Sequence, residues 1–358
     1  MKRIWALAFA SIMVGAVGCG GSSSSGNSGG NYTMTALVAD LPGAAHQDAN
    51  LVNPWGIAVS PTGGAFWIAD NGTDKATLYG GDVGGSALTV NPLVVTVPGG
   101  TPTGQVFNST TSFVVTSGAQ SAPALFIFSS EAGQITGWNP GVPTPSPSTS
   151  AQNGVTVPGA EFKGLAIGAT GGNNFLYATD FAGGTVRAFN GTFVETALAG
   201  TFTDPGMPSN YAPFGIQNIN GVLYVSYAQK EAGGGDDVAG AGHGYVDRFD
   251  LSGHFIDRFV TKGPLNSPWG IALAPATFGK FGGAILVGNF GDGKINAFNP
   301  VSGKLLGTLS SGGHPIILPY LWGIAFGNGV SAGDSNALYF TAGTNGEANG
   351  TFGKVTSG

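Results

Sequence analysis

Cysteine occurs once in the 358 residues, at Cys19, so no disulfide can staple this chain and its stability must come from its core. Charge is scarce too. Asp, Glu, Lys and Arg make up 9% of the chain, which excludes long solvated helices laced by Glu–Lys pairs. The 13 basic residues form no cluster, so no surface can track a phosphate backbone, and nucleic acid is excluded as a partner. The formal charge of −6 becomes −8 if Lys2 and Arg3 leave with a leader segment. Also missing are a nucleophile elbow, a His-Glu-x-x-His helix, a phosphate-binding loop and an EF-hand loop, so no catalytic motif announces an enzyme.

Glycine, in contrast, is abundant at 64 residues, far above the usual ~7%, and Pro adds 21. Aromatics at 11% and hydrophobics at 42% give ample apolar surface to bury, which argues against disorder. Gly-rich turns between short aromatic and β-branched runs indicate an all-β sandwich, barrel or propeller.

The N-terminus carries an address. Met1-Lys2-Arg3 is basic, and Ile4 to Val17 is apolar without charge. That run is shorter than the roughly 20 residues of a membrane span and fits a secretory signal. It ends in Ala16-Val17-Gly18-Cys19, which resembles the lipobox of bacterial lipoproteins, although Ala16 stands where a larger aliphatic residue is more usual. The resemblance implies a signal peptide over 1–18, lipidation of Cys19, and a Gly/Ser tether over 19–31 that holds residues 32–358 off a membrane. Export to a bacterial cell envelope follows, at the outer membrane in a Gram-negative cell because Gly20 rather than Asp comes next.

A repeat organises the remainder. Trp55-Gly56-Ile57-Ala58 recurs as Trp269-Gly270-Ile271-Ala272 and Trp322-Gly323-Ile324-Ala325, with weaker copies at Phe214-Gly215-Ile216, Lys163-Gly164-Leu165 and Thr103-Gly104-Gln105. The repeated glycines are separated by 48, 60, 51, 55 and 53 residues, at or above the ~40–50 of blade repeats. Each copy leads into a second and a third short apolar run parted by Gly, Asn and Asp turns, and the first five add a fourth, including Leu198 to Phe202 in the third repeat. Four antiparallel strands per repeat make a six-bladed β-propeller. The sixth repeat lacks a fourth run, and Thr35 to Leu41 matches no other slot, so this N-terminal strand is expected to close the ring and remove its edge. The repeated glycine is placed on the innermost strand, where six blades crowd the axis, and the tryptophans are expected to pack between blades.

The pattern is similar to NHL-type propellers. It resembles more closely a family of exported bacterial propellers whose members often end in a PEP-CTERM sorting tail. The matching stretches are Asn53-Pro54-Trp55-Gly56-Ile57-Ala58, Tyr211 to Ile219, Asp236 to Gly242, Gly263 to Gly270 and Leu286 to Gly293; this chain has a lipobox in place of the tail. The resemblance implies fold and export but no activity.

Loops leading into the innermost strand and turns between second and third strands share one face of a propeller. There the sequence places Asp48, Asn50 and Asp204 on lead-in loops, and Asp236, Asp237 and His243 on the longest turn, Gln229 to His243. Long loops on a rigid scaffold commonly carry sites. These six residues are the candidate ligand contacts, with Asp236 and Asp237 as candidate metal ligands and Ca²⁺ as the candidate ion, since hard oxygen donors suit it. Asp70, Asn71, Asp180 and Asp292 are read instead as turn residues. Two functions fit: a monomeric scaffold binding a protein or glycan, or a metal-dependent hydrolase of lactonase type, or a lyase, with its carboxylates at the axial mouth.

Overall fold

The computed structural model describes residues 30–358, so the signal segment, Cys19 and nearly all of the tether lie outside the described residues. Six antiparallel sheets stand around an axis as the blades of a β-propeller. In the fourth blade the strands are Tyr211–Ile219, Val222–Gln229, Gly244–Asp250 and Phe255–Thr261, in order from the axis outward. The innermost strands of the others are Pro54–Ala58, Pro102–Phe107, Phe162–Thr170, Pro268–Leu273 and Leu321–Phe326.

Close approach explains the repeated glycine. A Cβ placed on any of the six would come within 3.0 Å of the next blade's backbone: Gly56 against Thr103, Gly104 against Leu165, Gly164 against Ile216, Gly215 against Trp269, Gly270 against Trp322, and Gly323 against Trp55. The contacts run once round the ring and close it. Hydroxyls on the second strands stitch the same seam. Thr179 Oγ1 accepts from the Gly164 amide and donates to the Phe214 carbonyl of the next blade, and Thr341 Oγ1 joins Gly323 to Trp55 in the same way.

The ring closes as the sequence leads one to expect. Tyr32–Ala39 pairs antiparallel with Thr351–Ser357 and forms the outer part of the sixth blade. Tyr32 is fully buried; its hydroxyl donates to the Phe278 carbonyl and accepts from the Phe281 amide, each at 3.1 Å, which ties the sixth blade to the fifth.

Two details differ from expectation. The third blade has three strands, because Leu198 to Phe202 forms no fourth. The Gly200 and Phe202 amides donate instead to Ser252 and Gly253 in a turn of the fourth blade, and Phe202 buries its ring in the core. The second blade contains an extra hairpin, Val114–Ser117 with Gln120–Pro123, between its first and second strands. That insertion contributes to the long 60-residue spacing between Gly104 and Gly164.

Candidate functional site

The lead-in end of the axis is filled by rings. Trp55 and Trp322 stack at 3.4 Å with an 18° interplanar angle, and Trp269 stands edge-on to both at 6.0 and 5.6 Å. Phe214 and Phe290 pack on Trp322, and Phe181 on Phe214. The tryptophans therefore meet one another across the axis rather than lying within the seams between blades.

Lys163 lies against this plug. It occupies the slot that holds Trp55, Phe214, Trp269 and Trp322 in other repeats, and it is 4% exposed. Its ammonium is 2.6 Å from both Glu131 and Glu161 and sits 5.2 Å from the Trp55 ring centre. Burial alone would lower its pKa, but the two carboxylates outweigh burial and hold the ammonium above the usual lysine range. A hydrogen-bonded chain then crosses three blades. Asn71 Nδ2 donates to Glu131, Asn53 Nδ2 to Asn71 Oδ1, and Trp322 Nε1 to Asn53 Oδ1.

The long turn reaches this mouth. It folds back on itself, with the Val238 amide donating to Gln229 and the Glu231 amide to Asp236. It leans on the fifth blade where the Gly240 amide donates to Asn266 Oδ1 at 2.7 Å. Burial pushes the Asp237 carboxyl up to about 6; Asp236 raises it and Lys163 lowers it. Burial also pushes Glu347, from the sixth blade, up to about 7; Asn53 lowers it, while Asp236 and Glu131 raise it. Asp236 thus acts on carboxyls from two blades. Around them Asp237 Oδ2, Ser267 Oγ, Trp55 Nε1 and Trp269 Nε1 are buried without hydrogen-bond partners.

The other candidates do not join this group. Asp48 accepts from the Asn50 amide and side chain at 2.9 Å and from the Tyr79 hydroxyl at 3.1 Å, while Asn50 Oδ1 accepts from Lys75 Nζ. Both therefore brace the third strand of the first blade. Asp204 pairs with Arg258 on the outer strand of the fourth blade, beside Asp247, whose carboxyl burial pushes up to about 8. His243 Nδ1 donates to the Val238 carbonyl and braces the base of its own turn. Among the described residues no group of three or more His, Cys, Asp or Glu is arranged to hold a metal ion. Lys163, Glu131 and Glu161 escaped the candidates drawn from the sequence. The signal for Lys163 was present: a charge in an aromatic slot of the repeat.

No protein-family model matches the chain. It is 35% identical over 320 residues to "Uncharacterized protein R648" of Acanthamoeba polyphaga mimivirus, covering 87% of this chain and 76% of that one. It is 33% identical over 309 residues to "Uncharacterized protein L690" of the same virus, covering 84% and 78%. Among solved structures it is similar to virginiamycin B lyase from Staphylococcus aureus, at 12% identity and a TM-score of 0.45, covering 91% of this chain and 99% of that one. The viral relatives overturn the resemblance to exported bacterial propellers. In the stretches Asn53 to Ala58 and Gly263 to Gly270, Gly56 and Gly270 are required by the crowded axis itself, a constraint that rings of different lineage share.

Proposed function

Because the chain belongs to the family of the mimivirus proteins R648 and L690, whose names state no activity, its function must be argued from its site; we propose that it is a binding module whose axial mouth takes the ammonium or guanidinium group of a basic protein partner. One observation carries this reading. Asp236 raises the carboxyls of both Asp237 and Glu347 at this mouth, and Lys163, held at 2.6 Å by Glu131 and by Glu161, offsets only part of that rise. Carboxyls whose pKa is raised by burial and by a neighbouring carboxylate are relieved by an incoming positive charge, and a half-buried setting makes that charge count for more than it would in water.

A glycan reading is weaker, because Trp55 and Trp322 stack face to face, Trp269 stands edge-on to both, and all three are buried. Against a lactonase or lyase reading, no group of three or more His, Cys, Asp or Glu among the described residues is arranged to hold a metal ion, and stacked rings fill this mouth. Envelope anchoring through Cys19 rests on the lipobox-like residues alone and is part of the proposal on that footing.

Fluorescence anisotropy with a labelled lysine peptide and its glutamate counterpart tests the reading. The lysine peptide should bind and weaken with added salt. Asp236→Asn/Asp237→Asn should weaken it at least tenfold, about 1.4 kcal/mol, with the melting temperature unreduced. Equal affinity for both peptides, or indifference to the substitutions, would overturn it.

A further inference from the structure

Four of the six innermost strands are entered through a residue in the left-handed region: Asn53, Thr101, Ser267 and Tyr320, with φ of 45°, 46°, 45° and 57°. The position has one repeated backbone duty. Its carbonyl accepts an amide from just beyond the second strand, from Asn71, Glu131, Phe290 and Gly343 in turn, at 3.1, 3.2, 3.0 and 2.9 Å. That duty needs no side chain, and three blades fill the position with Asn, Thr or Ser. The sixth fills it with a bulky aromatic, for which a positive φ is an outlier. A residue held so against its preference points to a use outside the fold.

The core does not enclose this ring. Tyr320 is 39% exposed and meets Phe290 edge to face, with centroids 5.6 Å apart. Ile317, in the same loop, is 48% exposed. The two rings form an apolar rim that joins the acidic sides of the mouth. At one end Ala239 of the long turn lies 3.0 Å from where a Cβ on Gly291 would stand, next to Phe290. At the other, the Tyr320 hydroxyl lies 4.0 Å from the corresponding point on Gly346, next to Glu347. A cation drawn in by Asp236, Asp237 and Glu347 therefore arrives alongside Phe290 and Tyr320.

We propose that this rim selects the residue beside that cation: the partner segment carries a large apolar side chain next to its lysine or arginine and lays it on Tyr320. The inference rests on the cation-binding reading of the mouth and adds a sequence preference to it. Charge attraction acts at long range and is screened by salt, so it discriminates little among neighbours of the basic residue. Apolar burial against an exposed ring acts at contact and survives salt. An acidic neighbour would meet the mouth's carboxylates as a like charge.

Fluorescence anisotropy with three labelled peptides tests the assignment, each with one lysine in a glycine-serine frame and Gly, Phe or Glu beside it. The Phe peptide should bind at least fivefold more tightly than the Gly peptide, and the Glu peptide should be weakest. Added salt should weaken both the Phe and the Gly peptide while their ratio holds. Tyr320→Asn, with a residue that tolerates the left-handed region, should cut the ratio below twofold without lowering the melting temperature. Tyr320→Phe should keep the ratio. In wild-type protein the Tyr320 ring resonances should move on adding the Phe peptide, a readout that depends on no variant folding. Equal binding of the Phe and Gly peptides, a ratio retained in Tyr320→Asn, or unmoved Tyr320 resonances would overturn the rim proposal and leave the cation reading standing. If neither the Gly nor the Phe peptide binds, the cation reading falls and the rim proposal with it.

Discussion

Replacing Tyr32 by Ala should loosen the whole ring, although this residue precedes the first repeat. Tyr32 opens the strand that completes the sixth blade, and it is 0% exposed. Its ring lies parallel to Phe281, with centroids 5.8 Å apart, and 5.0 Å from Phe278. Removing a buried aromatic ring costs about 3–5 kcal/mol, and the Phe281 amide would also lose its acceptor. Taking about 4 kcal/mol, and an unfolding entropy near 2.1 cal/mol/K per residue over the described domain, the melting temperature should fall by about 6 °C. Tyr32→Phe keeps the packing and leaves only the two hydroxyl bonds unmade, so it should lose about a third of that. Calorimetry on both variants measures this. A shift below about 2 °C for Tyr32→Ala would refute the idea that this strand latches the ring.

Two further outcomes follow from the same structure. Asp247 is fully buried with its pKa pushed up to about 8, so between pH 4 and pH 8 the unfolded chain ionises it while the folded protein does not, and stability falls as pH rises through that window. Asp247→Asn should therefore stabilise the protein at pH 8, by at most about 5 kcal/mol, and leave it little changed at pH 4; a wild-type melting temperature that rises from pH 4 to pH 8 in step with the variant's would contradict this. Cys19→Ala, expressed in a bacterial host, should abolish labelling by a fatty-acid analogue and release the protein from membranes, and unchanged membrane fractionation would remove the anchor from the proposal.

The ring was legible in the sequence because its tightest constraint is chemical: no side chain fits where each innermost strand meets the next, so glycine recurs. The closing strand could be found by elimination. The fourth strand of the third blade could not, since Leu198 to Phe202 is as apolar as a strand but meets its needs by burying Phe202 and bonding a neighbouring turn. At the site, Asp236 and Asp237 stood out because their turn exceeds what a hairpin needs. Asp48, Asn50 and Asp204 lie apart from that turn with local partners, since Asp and Asn serve loop hydrogen bonds and local ion pairs equally well. Glu131 and Glu161 lay in unremarkable turns, and only their convergence on Lys163 from two blades gives them meaning.

The binding of the lysine peptide as a function of pH tests the central claim most directly. Burial pushes the Asp237 and Glu347 carboxyls up to about 6 and about 7, so a cation-binding mouth should gain negative charge across that range. Affinity should rise between pH 5 and pH 8, and Asp237→Asn/Glu347→Gln should be weak and flat over the same interval. Affinity that is constant with pH in the wild type, or highest at pH 5, would contradict the account.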